Sequence, residues 1–78
     1  MNLHPDNYTT EQRAALEKAA WLLSDLAAVG ALGEPDRLAV LSGLNAVRAI
    51  LAPNAEMRRA ASNRALAHAD AAAKELAA

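Results

Sequence analysis

Cysteine and phenylalanine are absent from this chain, and tryptophan and tyrosine occur once each. Without cysteine there is no disulfide framework and no thiolate metal site. Small secreted domains usually depend on such cross-links, so a cytoplasmic location is expected. Long apolar runs are also missing. The longest mostly apolar stretch, Ala19 to Leu32, is broken by Ser24, Asp25 and Gly30. It falls short of the roughly 20 residues that a bilayer requires, so no transmembrane helix is expected. The opening residues, Met1 to Asp6, lack the basic-then-apolar pattern of a signal peptide. Seventy-eight residues make one domain at most, 1–78, with residues 1–8 as an N-terminal arm. A chain this short is only marginally stable by itself.

Excess charge of either sign is missing too. The formal net charge is −1, so no global field draws the chain to nucleic acid or to a membrane. The charge is nevertheless segregated. Residues 1–36 carry six acidic side chains against Arg13 and Lys18, whereas residues 37–64 carry five arginines against Glu56. Attraction between an acidic first helix and a basic middle segment within one bundle is the simpler expectation. A basic patch for an acidic partner or a phosphate is the alternative.

The sequence predicts an all-α protein with helices at about 10–29, 35–52 and 55–77. Thr9 and Gln12 form a capping box at the start of the first helix, and Gly30 and Gly33 stop it. Leu16, Ala19, Ala20, Leu22, Leu23, Leu26, Ala27 and Val29 fall on one broad face. Pro35 suits the first turn of the second helix, and Pro53 ends it. Val40, Leu44, Val47, Ile50 and Leu51 give that helix the widest apolar arc. Gly43 in its middle predicts close approach by another helix. Asn54 is a favoured N-cap for the third helix. Its stripe of Ala61, Ala65, Leu66, Ala69, Ala72, Ala73 and Leu76 forms helix readily but offers little area to bury. Short linkers imply antiparallel neighbours. An up-down-up three-helix bundle and a long helical hairpin that dimerises both fit.

Few residues invite a functional reading. Trp21 lies on the polar side of the first helix, among Ala14, Ala28, Glu17 and Asp25. An indole bordered by small residues and rimmed by acids has the form of an interface anchor, unless the third helix covers it. Ala65, Ala69, Ala72 and Leu76 recur near heptad positions and suit an antiparallel partner, within the chain or across a homodimer. Arg58, Arg59 and Arg64 gather at the start of the third helix, with Arg48 near the end of the second. Basic residues there oppose the helix dipole, so they are candidates for binding an anion. Tyr8 could tether the arm or make an aromatic contact.

His4 and His68 are the only histidines, and no second ligand stands at helical spacing, so no metal site is expected. Ser24, Ser42 and Ser62 lack a local base, so no catalytic residue and no cofactor is assigned. The segment from Arg37 to Leu44 has a faint helix-turn-helix pattern. The recognition helix that would follow from Asn45 is too short and too apolar to present several side chains to base edges.

The His4-Pro5 arm and the run Leu41-Ser42-Gly43-Leu44-Asn45 resemble stretches of the small helical hairpins with which phages sequester cyclic-nucleotide signals. The likeness covers under a third of the chain and identifies no family. It implies a small oligomer that holds a nucleotide. The residues themselves point to a non-enzymatic protein that binds another protein, as a homodimer or with a host target. The alanine-rich, arginine-over-lysine composition suggests a high-GC genome, where proteins of this size are often phage or mobile-element inhibitors of host defence or regulatory proteins. A phosphate-binding helical oligomer or a weak nucleic-acid binder, both using the arginines, is the alternative.

Overall fold

The computed structural model describes residues 8–77. The expected arm, with His4 and Pro5, lies outside them apart from Tyr8. Among the described residues the chain is all-α, in three helices with no strand: α1 (Thr10–Ala28), α2 (Glu34–Leu51) and α3 (Ala55–Ala77).

Their ends follow local chemistry. Thr9 Oγ1 accepts the Gln12 N–H at 3.0 Å, and Gln12 Oε1 accepts the Thr9 N–H at 2.9 Å. These reciprocal bonds satisfy donors that the first turn leaves open. Past Val29, Gly30 takes φ +58°, a left-handed conformation that favours glycine. α2 begins at Glu34, one residue before Pro35, with Gly33 as its N-cap. Ala52 is extended at ψ 136°, as the proline ring at 53 demands. Asn54 Oδ1 accepts the Met57 N–H at 2.8 Å and caps α3.

α2 is the central helix. Both α1 and α3 pack on it, and they touch each other little. The more extensive contact is α2 with α3. Among the described residues the buried apolar ones are Leu44, at 3% exposure, with Ala49, Ala52, Ala61 and Ala72. Four of these five are alanines, so the seam gains little from bulk and much from close approach. Polar bonds reinforce it. Ser42 Oγ donates to the Ala65 carbonyl at 2.8 Å. Asn45, only 4% exposed, donates from Nδ2 to the Leu41 carbonyl at 2.9 Å and accepts from Arg64 Nε at 3.0 Å.

The docking face of α3 departs from the expected stripe. It runs through Ala61, Ala65, His68 and Ala72, all buried or half-buried, while Leu66 is 69% and Leu76 76% exposed. Leu66 lies off that line on the helix wheel. Leu76 sits where α3, with 23 residues, outruns α2, with 18, by about 7 Å at 1.5 Å per residue.

α1 also departs from expectation. It has no buried residue. Leu16, Ala19, Leu23 and Ala27 are half-buried, but Leu22, Leu26 and Val29 are exposed. The broad apolar face is therefore split, with one half on α2 and the other uncovered.

Gly43 faces Leu23 of α1. A Cβ added there would lie 3.9 Å from Leu23 Cδ1, an ordinary contact. The close approach expected from the glycine is therefore not so tight as to require it. Gly43→Ala is expected to stabilise the fold by about 0.5–1 kcal/mol through helix propensity, read as a higher urea midpoint with unchanged slope. A lower midpoint would show that α1 packs more tightly on α2 than this geometry allows.

Candidate functional site

Antiparallel packing of α1 on α2 leaves an open groove of about 580 Å³ between the middle of α1 and the C-terminal half of α2. Its walls are Glu17, Ala20, Trp21, Ser24 and Asp25 from α1 and Arg48 and Leu51 from α2. Trp21 is 74% exposed, so α3 does not cover it. Helical spacing explains the arrangement. Glu17, Trp21 and Ser24 stand three or four residues apart and share a side of α1. Asp25 follows Trp21 by one turn.

This groove continues onto α3. Arg48 and Leu51 also line a second groove with Ala52, Pro53, Met57, Ala61 and Arg64. The two share a floor and make one strip from Trp21 across the end of α2 to the start of α3. Met57 is itself exposed. Along the strip lie the indole of Trp21 and the thioether of Met57, the acids Glu17 and Asp25 of α1, and the guanidiniums of Arg48 and Arg64. An aromatic anchor within a mixed polar rim is the usual composition of a protein-binding patch.

The arginines of the expected anion cluster are not brought together. Arg48 and Arg64 share the strip, and Asn45 holds the Arg64 guanidinium. Arg58 lines a different groove with Ala46, Ala49, Ile50, Ser62 and Leu66, and donates to the Ile50 carbonyl at 3.4 Å. Arg59 is exposed and lines neither. Successive residues on a helix point about 100° apart, so Arg58 and Arg59 diverge.

The remaining sequence-selected residues scatter. Ala14 and Ala28 are exposed on α1 beside Trp21. On α3, Ala72 is buried and Ala65 half-buried, both on the face that packs on α2, while Ala69 and Leu76 are exposed. Tyr8 is half-buried and lines a shallow groove with Gln12, Ala15 and Leu16.

Charge segregation is expressed locally. Among the described residues the ion pairs are Arg13–Glu17 at 3.8 Å, Arg37–Glu34 at 2.9 Å and Lys74–Asp70 at 3.0 Å. Each joins neighbours on one helix and is solvent-exposed, so each contributes less than about 1 kcal/mol. Among the described residues no group of three or more His, Asp or Glu side chains could hold a metal ion. No described helix is long and apolar enough to cross a membrane.

Sequence reasoning did not find three of the contributors. Leu51 reads as part of the apolar arc of α2, Met57 carries no signal of its own, and nothing local marks either as lining the strip with Trp21. Asn45 carried a usable signal, as an amide between Leu44 and Val47 on the most apolar helix. Compared with family models, curated proteins and solved structures, the chain matches none.

The exposure of Trp21 has a direct spectroscopic consequence. In dilute solution its fluorescence is expected at the red-shifted maximum of a hydrated indole, with quenching by acrylamide approaching that of free tryptophan. A blue-shifted, poorly quenched emission would mean that the groove is closed.

Proposed function

We propose that this chain is a non-enzymatic binding protein that works by docking another protein on the side of α1 that carries Trp21. The single observation behind this reading is the indole, three-quarters exposed on an ordered helix with Glu17, Asp25 and Arg48 around it. Leaving a tryptophan in water forgoes one of the largest apolar burials open to a chain this short. A partner that covers it recovers that area. Tryptophan and arginine are also the residue types on which binding energy concentrates.

The rest of the strip agrees with this role. Met57 adapts its shape to an apolar partner, and charged side chains of both signs around Trp21 orient one. Under this reading the chain acts in the cytoplasm by occupying a surface of its target, as an inhibitor or modulator from a phage or mobile element would. A phosphate ligand is a weaker fit. Of the four candidate arginines only Arg48 and Arg64 share a groove, and Arg64 is already engaged by Asn45.

Capture from a lysate of the source cells by the tagged chain, with Trp21→Ala alongside, tests the proposal. A protein retained by the wild type should be lost from the variant, and its Kd should rise roughly 30-fold or more, as for an anchor worth about 2 kcal/mol. Raising salt from 50 to 200 mM should weaken that complex only a few-fold. Loss of several orders of magnitude, as for phosphate contacts, or retention by Trp21→Ala, would overturn it.

A further inference from the structure

We propose that the outer face of α1 docks a second copy of this chain, antiparallel, about a twofold axis that passes between Trp21 and Leu22. This rests on reading α1 as an interaction surface, and it names an occupant.

The face exists because α1 uses only part of its circumference on α2. Leu16, Ala19, Leu23 and Ala27 are half-buried there. At about 100° per residue, Ala14, Ala15, Trp21, Leu22, Leu26 and Val29 spread over an arc outside that contact. Each of the six is exposed.

Two charged residues lie within the arc. Lys18 and Asp25 are seven residues apart, two turns, and so on the same side of the helix. At 1.5 Å per residue they stand about 10 Å apart along the axis, too far to pair with each other. Among the described residues neither has an ion-pair partner, as is also true of Glu11 and Asp36. Asp25 also stands in the last turn of α1, where the helix dipole disfavours negative charge. Helix stability does not account for it.

Their positions are symmetric about the middle of the apolar arc. A twofold between positions 21 and 22 sets Lys18 of each copy opposite Asp25 of the other, forming two ion pairs. The same operation sets Trp21 against Leu22, Ala15 against Ala28 and Ala14 against Val29. Apolar meets apolar and opposite charges meet at these positions, while Leu26, at the edge of the arc, is set against Glu17. Parallel docking would set lysine on lysine and aspartate on aspartate. Such self-complementarity is the requirement of an isologous interface, and a different partner would have no need of it. The alanines near the ends of the patch allow the two helices to approach closely. The area is on the order of 500 Å² per copy, about 1,000 Å² in total, which is near the floor for a specific interface. The association should therefore depend on concentration in the micromolar range.

The test uses sedimentation equilibrium on the full chain at low salt, over micromolar to millimolar concentration. Four forms are compared: wild type, Lys18→Asp, Asp25→Lys and the double exchange, with circular dichroism as the check on folding. The wild type should pass from one-chain to two-chain mass. Each single reversal, turning two attractions into two repulsions, should weaken the dimer at least about tenfold. The double exchange should return it to within about threefold of wild type. A wild type that keeps the one-chain mass throughout overturns the second copy as occupant. Equal dimerisation of all four forms overturns the antiparallel register. Neither result bears on whether Trp21→Ala loses a different protein in the capture experiment, so the two proposals fail separately.

Discussion

The seam between α2 and α3 holds because small side chains let two helices come close, and most other features of the structure depend on that. Ala49, Ala52, Ala61 and Ala72 are buried, and none contributes more than a methyl group. Dispersion between closely spaced backbones must supply what large side chains do elsewhere. A smooth alanine surface sets its own register poorly, since sliding one alanine past another changes little. The polar bonds supply what alanine lacks. Asn45 is buried with both side-chain polar atoms bonded, Nδ2 to the Leu41 carbonyl and Oδ1 to Arg64, and Ser42 reaches the Ala65 carbonyl. A shift of α3 by one residue would break the two bonds that cross the seam, Ser42 to Ala65 and Arg64 to Asn45, and leave the buried Asn45 Oδ1 without its donor, at a cost of about 1–3 kcal/mol.

That arrangement decides what remains for α1. α2 uses one side on α3 and offers α1 the rest, where Gly43 faces Leu23 and where Leu51 and Ala20 line the groove between the two helices. Because α1 and α3 scarcely touch, no third wall closes over Trp21. The groove, the exposed aliphatic side chains of α1 and the strip toward Met57 all follow from that gap. The interaction surface is thus the part of the apolar surface that a short chain with an alanine seam leaves uncovered.

Some of this was written plainly in the sequence. The capping box of Thr9 and Gln12, the stop at Gly30, Pro53 and the Asn54 cap are local signals, and the structure places the helix ends at or within a residue or two of them. Trp21 could be singled out because its wheel neighbours are polar. The docking face of α3 was not legible. Alanine recurs all round that helix, at Ala60, Ala61, Ala65, Ala67, Ala69, Ala71, Ala72 and Ala73, so hydrophobic periodicity has little contrast there. The leucines at 66 and 76 belong to the expected stripe, yet both are exposed. What selects it is the position of Ser42 and Asn45 on another helix, which no window along α3 contains. The arginines looked clustered because they are close in sequence, but neighbours on a helix diverge.

If the α2–α3 seam carries the fold and α1 rests on it with no buried residue, the helices should differ in local stability. Amide hydrogen exchange on the dilute, isolated chain measures this most directly. The slowest amides should lie around Leu44–Ala49 and Ala61–Ala65, exchanging only with global unfolding, while α1 amides exchange through easier local openings. Protection of α1 equal to that of α2 would contradict the account, because it would mean that α1 is an integral wall of the core and its outer face an ordinary surface.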